Sequence, residues 1–240
     1  MHTCHQPDLV QGLNELSEEE ALHVSRVLRM KEGAQVRLVD GHGKVASGVV
    51  VDVGKKAVRV EVEEVIVEAS RPQGLSLVVS PTKQSDRFEW LIEKATELGV
   101  DNIIPVWTQR SERRIDKHAR WQKVVVSATK QCQRIWMPVL AEACNVSDLF
   151  ESHPELLNQR GAVAHCMPTV DHVPNRVSWS DFQSSLQQAW IAIGPEGDFA
   201  PEEVQALHAK GATPVNLGSQ RLRTETAGMA AVARFNQRVH

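Results

Sequence analysis

Tyrosine is missing from this chain of 240 residues, and there are only five phenylalanines beside six tryptophans. The candidates for stacking on a flat ligand are therefore Trp107, Trp121 and Trp136, with core packing as the ordinary alternative for each. Long apolar runs are missing too. Runs such as Val49–Val51 and Ile191–Ile193 are short, and none approaches the roughly 20 residues of a membrane-spanning helix. The amino end, Met1-His2-Thr3-Cys4-His5, carries neither the basic nor the apolar stretch of a secretion signal, so the expectation is a soluble, cytoplasmic protein. Cys4, Cys132, Cys144 and Cys166 stand far apart without a CxxC pair, and the ten histidines form no His-x-x-x-His pair. Neither a disulfide framework nor a metal is expected. No G-x-G-x-x-G or P-loop motif occurs, which counts against a nucleotide-dependent oxidoreductase.

A strong excess of either charge is also lacking, the net charge being −3. That sum hides an asymmetry. Between Gln109 and Arg134, eight basic residues (Arg110, Arg113, Arg114, Lys117, Arg120, Lys123, Lys130, Arg134) face only Glu112 and Asp116. A local basic stretch is the electrostatic footprint of a polyanion site, although a solvated helix face has the same composition.

With 42% hydrophobic and 24% charged residues, the chain is globular, and its pattern divides it in two. Up to residue 70 it reads as β with one helix. Ser17-Glu18-Glu19-Glu20 has the form of a capping box, followed by Leu22, Val24, Val27 and Leu28 at helical spacing and Gly33 beyond. Val36–Val39, Val45–Val53 and Val58–Val67 are β-branched strands joined by tight turns, the pattern of a small barrel. Ser70-Arg71-Pro72-Gln73-Gly74 breaks the pattern and predicts a boundary at 70/71. From 71 to 240, strands alternate with helices, predicting a mostly parallel sheet covered on both faces. Ser85 and Thr224 are expected to cap helices, and Pro201-Glu202-Glu203 to start one.

Glycine turns follow two of the predicted strands, Ile193-Gly194-Pro195-Glu196-Gly197-Asp198-Phe199 and Leu217-Gly218-Ser219-Gln220. Ligands of open parallel sheets bind outside the carboxyl ends of strands, and glycine lets backbone amides approach them. Strand-to-helix turns also need glycine for conformation alone. The second turn runs into Arg221-Leu222-Arg223-Thr224-Glu225, two arginines beside a helix start, suited to an anion or carbonyl. Lys83 and Arg87 sit near another helix start, where positive charge opposes the helix dipole and a bound anion would offset it. Glu89, Glu93 and Glu97 form a like-charge stripe that Lys94 relieves in part, the rest being unexplained by the pattern.

Taken together, these stretches resemble the RsmE-type ribosomal RNA methyltransferases. The likeness rests on Lys94-Ala95-Thr96-Glu97-Leu98-Gly99-Val100, Gln131-Cys132-Gln133-Arg134 with Pro138, Ile193-Gly194-Pro195-Glu196-Gly197, and Leu217-Gly218 followed by Leu222-Arg223-Thr224-Glu225-Thr226-Ala227. His23–Met30 with Gly33 matches the family's amino-terminal element. What the resemblance implies is a PUA-like β-barrel over 1–70 and an α/β SPOUT methyltransferase domain over 71–240 whose carboxyl portion forms a trefoil knot. It further implies a homodimer that methylates N3 of a uridine in small-subunit (16S) ribosomal RNA with S-adenosylmethionine. Residue by residue, the cofactor would be held by Gly194, Glu196, Gly197, Leu217, Gly218 and Leu222, with the loop at His165 as a third wall. Arg223 would stabilise charge on the imide oxygens, beside Arg221, and Glu225 is the nearby carboxylate. RNA contacts are expected from Arg26 and Arg29, read as three apart on one helix face, and from Lys83, Arg87, Arg110, Arg113, Arg114 and Arg134. This chain departs from the family in having Asp198 where a second glycine is usual, and Ser219-Gln220 where a proline–arginine pair is usual. Competing readings are a SPOUT ribose 2′-O-methyltransferase, whose asparagine–glycine element is missing from Glu93–Gly99, and a non-catalytic RNA-binding module, which leaves the glycine turns without a purpose.

Overall fold

The computed structural model describes residues 1–54, 57–69, 74–112 and 114–237. Chain contacts divide it into one unit of Met1–Arg71 with Val126–Met137, and a second of Pro72–Val125 with Pro138–His240.

The first unit is a six-stranded, mostly antiparallel sheet. Its strands are β1 (His2–His5), β2 (Gly12–Glu15), β3 (Gln35–Val39), β4 (Lys44–Val53), β5 (Val58–Val62) and β6 (Ile66–Val67), ordered β1-β3-β4-β5-β2 with β6 on β4. Alternation in β5 places Val58, Val60 and Val62 inside and Arg59 and Glu61 outside, as a half-buried strand requires. They meet Leu9, Val24, Val36, Leu38 and Val50 in one core. The stretch expected as one strand over Val58–Val67 is interrupted at 63–65 and resumes as β6 on a different neighbour. The charges of Glu63-Glu64 fall at that break.

The helix α1 (Glu18–Leu22) has half of the expected capping box. The Ser17 hydroxyl accepts from the Glu20 amide at 3.3 Å. The Glu20 side chain does not return to Ser17, because it is drawn inward to Lys130, Oε1 to Nζ 2.5 Å. Next, α1 widens into a π turn over His23–Val27, with the Leu28 amide donating to the His23 carbonyl at 3.0 Å. The expected apolar stripe therefore stops at Val24: Val27 is 67% exposed and Leu28 37%. Arg29 lies beyond the helix with φ +51°, so three-residue helical spacing no longer puts it on one side with Arg26.

The second unit is an entirely parallel sheet among the described residues. Its strands are β7 (Leu75–Val79), β8 (Asn102–Trp107), β9 (Val139–Leu140), β10 (Cys144–Asn145), β11 (Arg160–Ala164), β12 (Val177–Ser178), β13 (Ala189–Ile193) and β14 (Ala212–Asn216). The order is β10-β8-β7-β13-β11-β14-β12, with β9 on β8. Every residue of β7 and β13 is buried, the continuous apolar pattern of a strand covered on both faces. The helices are α2 (Ser85–Glu97), α3 (His118–Gln131), α4 (Leu149–Ser152), α5 (Trp179–Gln183), α6 (Pro201–Ala209) and α7 (Thr224–Asn236). One face carries α2 and α7. The other buries Val78, Ile104, Val163 and Trp190 under Leu149, Leu156, Val204 and Leu207.

In α2, Phe88, Leu91, Ile92 and Ala95 are buried as their spacing predicts. Ser85 starts the helix rather than capping it; its hydroxyl donates to Glu89 at 2.9 Å instead. The glutamate stripe is neutralised from outside its own spacing. Arg120 holds both oxygens of Glu89 at 2.7 and 2.8 Å, and Lys94 bridges Glu93 and Glu97 at 2.6 and 2.8 Å. Trp121 is 2% exposed and packs edge-on against Phe88, which removes it as a stacking platform.

Candidate active site at the carboxyl edge of the parallel sheet

Strand β11 lies between β13 and β14, paired in parallel with both, Ala164 opposite Ile193 on one side and Val215 on the other. The three chains therefore leave the sheet side by side at one edge. Three loops result: Gly194–Ala200 after β13, the loop beginning at His165 after β11, and Leu217–Arg223 after β14.

The β13 loop is tight. A Cβ on Gly194 would lie 2.9 Å from the Phe199 amide nitrogen, a distance that real side chains do not tolerate. The Asp198 amide donates to the Pro195 carbonyl at 2.9 Å, and Asp198 sits at φ +65°. Asparagine and aspartate accept that left-handed conformation more readily than most residues. The Asp198 carboxylate then accepts from the Phe199 amide at 2.8 Å and from the Cys166 amide at 2.7 Å, fastening the β13 loop to the β11 loop. Arg110 donates to the Gly197 carbonyl at 2.8 Å, and the Lys83 amide to Glu196 at 3.1 Å. Behind the turn, buried Glu203 accepts from the Ala200 and Gln109 amides, each at 2.8 Å.

Thr224 does not cap α7; Arg223 holds the capping position, and the Thr224 hydroxyl donates across to the Gly194 carbonyl at 3.0 Å. The chain leaving β14 thus passes the end of β11 to reach β13. Among the described residues, the β14 loop is held at its root. The Gly218 amide donates to Asn216 at 3.3 Å and Arg234 donates to the Leu217 carbonyl at 2.7 Å. Gly218 has φ +128°, open to glycine and costly to other residues. Ser219, Gln220, Arg221 and Arg223 are exposed and Leu222 half-buried. Among the described residues, no hydrogen bond or ion pair holds either arginine side chain.

His165 is 6% exposed, its carbonyl accepts from Arg176 at 2.7 Å, and neither ring nitrogen has a hydrogen bond of good geometry. Burial, then the Arg176 guanidinium, holds its pKa below the usual 6.5, against upward pulls from Asp198 and the Met167 backbone. Glu225, in the first turn of α7, is buried; its Oε1 lies 3.9 Å from Arg87 Nε, and its Oε2 has no partner. Glycine-bearing turns and a buried, underused imidazole at one sheet edge are a suitable cradle for a flat, polar cofactor.

The cations expected to touch RNA are distributed over the fold. Arg26, Arg29 and Arg134 belong to the first unit, and Lys83, Arg87, Arg110 and Arg114 to the second. Arg113 lies outside the described residues. Near the start of α2, carboxylates of the protein itself meet the two cations: Lys83 meets Glu112 at 2.6 Å and Arg87 faces Glu225. Arg114 donates to Asn145 at 3.3 Å and to the Thr108 carbonyl at 3.2 Å. Beside it, Trp107, Phe150 and Lys210 line a groove of about 510 Å³ that contains none of the three loops. Arg176 and Arg234 were not marked by the sequence pattern, and Glu203 was read only as part of a helix start. Asp198 left a signal as a departure from the family pattern.

A family model described as an RNA methyltransferase domain matches residues 69–236, and one described as an RNA methyltransferase PUA domain matches 16–63. The ribosomal RNA small subunit methyltransferase E of Rickettsia conorii is 30% identical, over 91% of this chain and 87% of its own. This chain belongs to the ribosomal RNA small subunit methyltransferase E family. Solved structures share the whole architecture. A "probable rRNA-methyltransferase" from Porphyromonas gingivalis is 34% identical with a TM-score of 0.86, over 99% of this chain and 98% of that one. A family member from Neisseria gonorrhoeae, bound to S-adenosyl methionine, is 26% identical with a TM-score of 0.85, over 99% and 97%. The fold is therefore a parallel-sheet methyltransferase domain preceded by a small PUA-like β-domain.

Proposed function

We propose that this protein transfers a methyl group from S-adenosylmethionine to N3 of a uridine in small-subunit (16S) ribosomal RNA. The observation that carries the reading is the interlocked loop set: Asp198 ties the β13 loop to the β11 loop, Thr224 ties the β14 chain to Gly194, and the Arg223 side chain, exposed at the rim, has no ion pair among the described residues. Gly194, Glu196, Gly197, Leu217, Gly218, Leu222 and His165 would hold the cofactor, which supplies an electrophilic sulfonium methyl. The family member bound to S-adenosyl methionine supports this assignment.

The remaining chemistry belongs to the chain's own side chains. A uridine N3–H must lose its proton as the nitrogen attacks, and negative charge spreads onto the imide oxygens. Arg223, with Arg221 beside it, stabilises that charge as an oxyanion clamp does. Glu225 is the carboxylate assigned to the proton; its Oε1 faces Arg87 and its Oε2 is unengaged. Holding acceptor and donor in line provides much of the remaining acceleration. Lys83, Arg87, Arg110, Arg113, Arg114 and Arg134, with Arg26 and Arg29, would neutralise RNA phosphates, each contact adding roughly −0.7 to −0.9 to the log–log salt slope. The same reading includes a homodimer, a cytoplasmic location, the domain limits 1–70 and 71–240, and a carboxyl-terminal trefoil knot. The crossing of the chain from β14 to β13 supports the knot.

The test is methylation of small-subunit RNA, naked and in assembled subunits, followed by nuclease digestion and mass spectrometry of the nucleosides. The expected product is base-methylated uridine. A methyl group on ribose O2′ would instead favour the ribose 2′-O-methyltransferase. In parallel, S-adenosylmethionine at 100 times its Kd should add about 2.7 kcal/mol of stability in a thermal melt. A pure RNA-binding module would not respond.

A further inference from the structure

Away from the three loops, the first unit brings His2 and Cys4 of β1 beside Glu20 of α1. One ligating atom from each lies within 4.8 Å of the other two. Cys4 is fully buried and Glu20 is 4% exposed. The two oxygens of Glu20 are treated differently. Oε1 receives the Lys130 ammonium at 2.5 Å and the His5 amide at 3.4 Å. Oε2 is buried without a partner, and so is His2 Nε2. Folding ordinarily leaves few such atoms unsatisfied, because each has lost its water. One Glu20 oxygen and one His2 ring nitrogen share this space with the Cys4 thiol, which hydrogen-bonds to the Glu20 carboxylate.

We propose that His2, Cys4 and Glu20 form a binding site for a zinc-type divalent ion. The donor set decides the class: imidazole nitrogen, thiolate sulfur and carboxylate oxygen suit a borderline ion, whereas calcium and magnesium call for oxygen alone. Zinc bonds of about 2.0–2.3 Å in a tetrahedron set donors roughly 3.3–3.8 Å apart, so side-chain shifts of about an ångström close the set. Water would complete the tetrahedron; the His23 ring lies 5.1 Å from that of His2 but is not one of the three clustered ligands. On loading, the metal–sulfur bond forms as the S–H bond breaks, and the proton leaves to solvent. Two negative ligands then balance the ion's charge, while neutral His2 adds none. Lys130 opposes the ion, since its ammonium already sits on the other Glu20 oxygen. The ion would join the first strand to the helix whose π turn carries Arg26, a structural role separate from methyl transfer.

Full-length protein stripped with a chelator and titrated with Co²⁺ tests this without any activity assay. One equivalent should produce a thiolate-to-cobalt charge-transfer band and the visible bands of a tetrahedral ion, and zinc should displace both. Cys4→Ser should abolish the charge-transfer band. Cys4→Ser and Glu20→Gln should each weaken zinc binding by about 100-fold or more, since losing a ligand exceeds the 10–100-fold effect of an outer-shell partner. Lys130→Gln should tighten binding by about 10-fold, the scale of such an outer-shell change. If Cys4→Ser does not fold, as judged by circular dichroism, His2→Ala at the half-buried edge of the cluster carries the same comparison. Lack of the charge-transfer band in the wild type, or equal zinc affinity in wild type and ligand variants, overturns the site.

Discussion

The loops after β13 and β14 leave the same sheet edge and are held in opposite ways. Four separate elements restrain the first: Asp198 joins it to the β11 loop, Arg110 and the Lys83 amide grip its middle, and Thr224 grips its start. The second is fastened at its root by Asn216 and Arg234, and its residues 218–221 are exposed. A wall that must meet a fixed cofactor gains from preorganisation. A wall that must admit a nucleotide and then close on it gains from freedom. Under the proposed function, the contrast fits a β13 loop that holds the cofactor and a β14 loop whose Arg221 and Arg223 side chains serve the acceptor, while Leu217, Gly218 and Leu222 face the cofactor. Hydrogen exchange provides a direct measure: amides at 196–199 should be protected well beyond those at 219–223.

The strongest way to break this contrast is at the free loop. Arg223→Ala should lower single-turnover methylation by about 10²-fold or more, the scale of a lost charge-stabilising donor, with cofactor affinity changed only a few-fold. A loss under a few-fold removes Arg223 from the chemistry. A large loss of cofactor affinity instead would move it to the cofactor wall and erase the division of labour.

Much of the contrast was hidden from the sequence, and the reasons are specific. Local signals were legible: the apolar spacing of Phe88, Leu91, Ile92 and Ala95, the alternation in β5, and the glycines at 194 and 218 all correspond to what the fold does. Interactions between segments distant in sequence were not. Thr224 reads as a helix cap because the nearest acceptor problem is local, yet its partner lies 30 residues away at Gly194. Glu20 reads as half of a capping box, and a lysine 110 residues on draws it away. Arg110 reads as part of an RNA-facing basic stretch, while its guanidinium donates to Gly197 across 87 residues. For Thr224 and Glu20 a local propensity worth under about 1–2 kcal/mol yields to a tertiary partner.

Thr224→Val probes the link between the two loops. The substitution keeps the shape and deletes the hydroxyl, leaving the buried Gly194 carbonyl without that donor. The expected cost is about 1–3 kcal/mol of unfolding free energy, read from urea midpoints, together with faster exchange at 196–199. If the β13 loop stays equally protected, the Thr224 bond is not what connects the two walls.

Asp198→Gly restores the residue usual in the family and asks what the aspartate adds. Glycine relieves the left-handed backbone at φ +65°, worth about 1–2 kcal/mol. It also removes the acceptor of the Cys166 and Phe199 amides, each worth about 1.5–3 kcal/mol as a bond to a charged group. The loss should exceed the gain, for a net destabilisation of about 1–5 kcal/mol and a several-fold weaker hold on S-adenosylmethionine in calorimetry. Unchanged affinity would show that the aspartate serves the fold and not the cofactor wall.

The smallest effect concerns the third loop. With its pKa held below 6.5 by burial and Arg176, folded His165 stays neutral at pH values where the unfolded chain binds a proton. The unfolded state therefore takes up more protons below pH 6.5, and stability must fall as the pH drops through that value. His2 is lowered by burial and by His23, so it contributes with the same sign. His165→Gln should make the decline between about pH 6.5 and 5 shallower without removing it, by less than the ~1.4 kcal/mol per pH unit that one proton can contribute. Urea midpoints measured across that range decide the matter. Parallel curves for the two proteins would mean that His165 titrates alike in both states, and that the β11 loop is as open to solvent as the loop carrying Arg223.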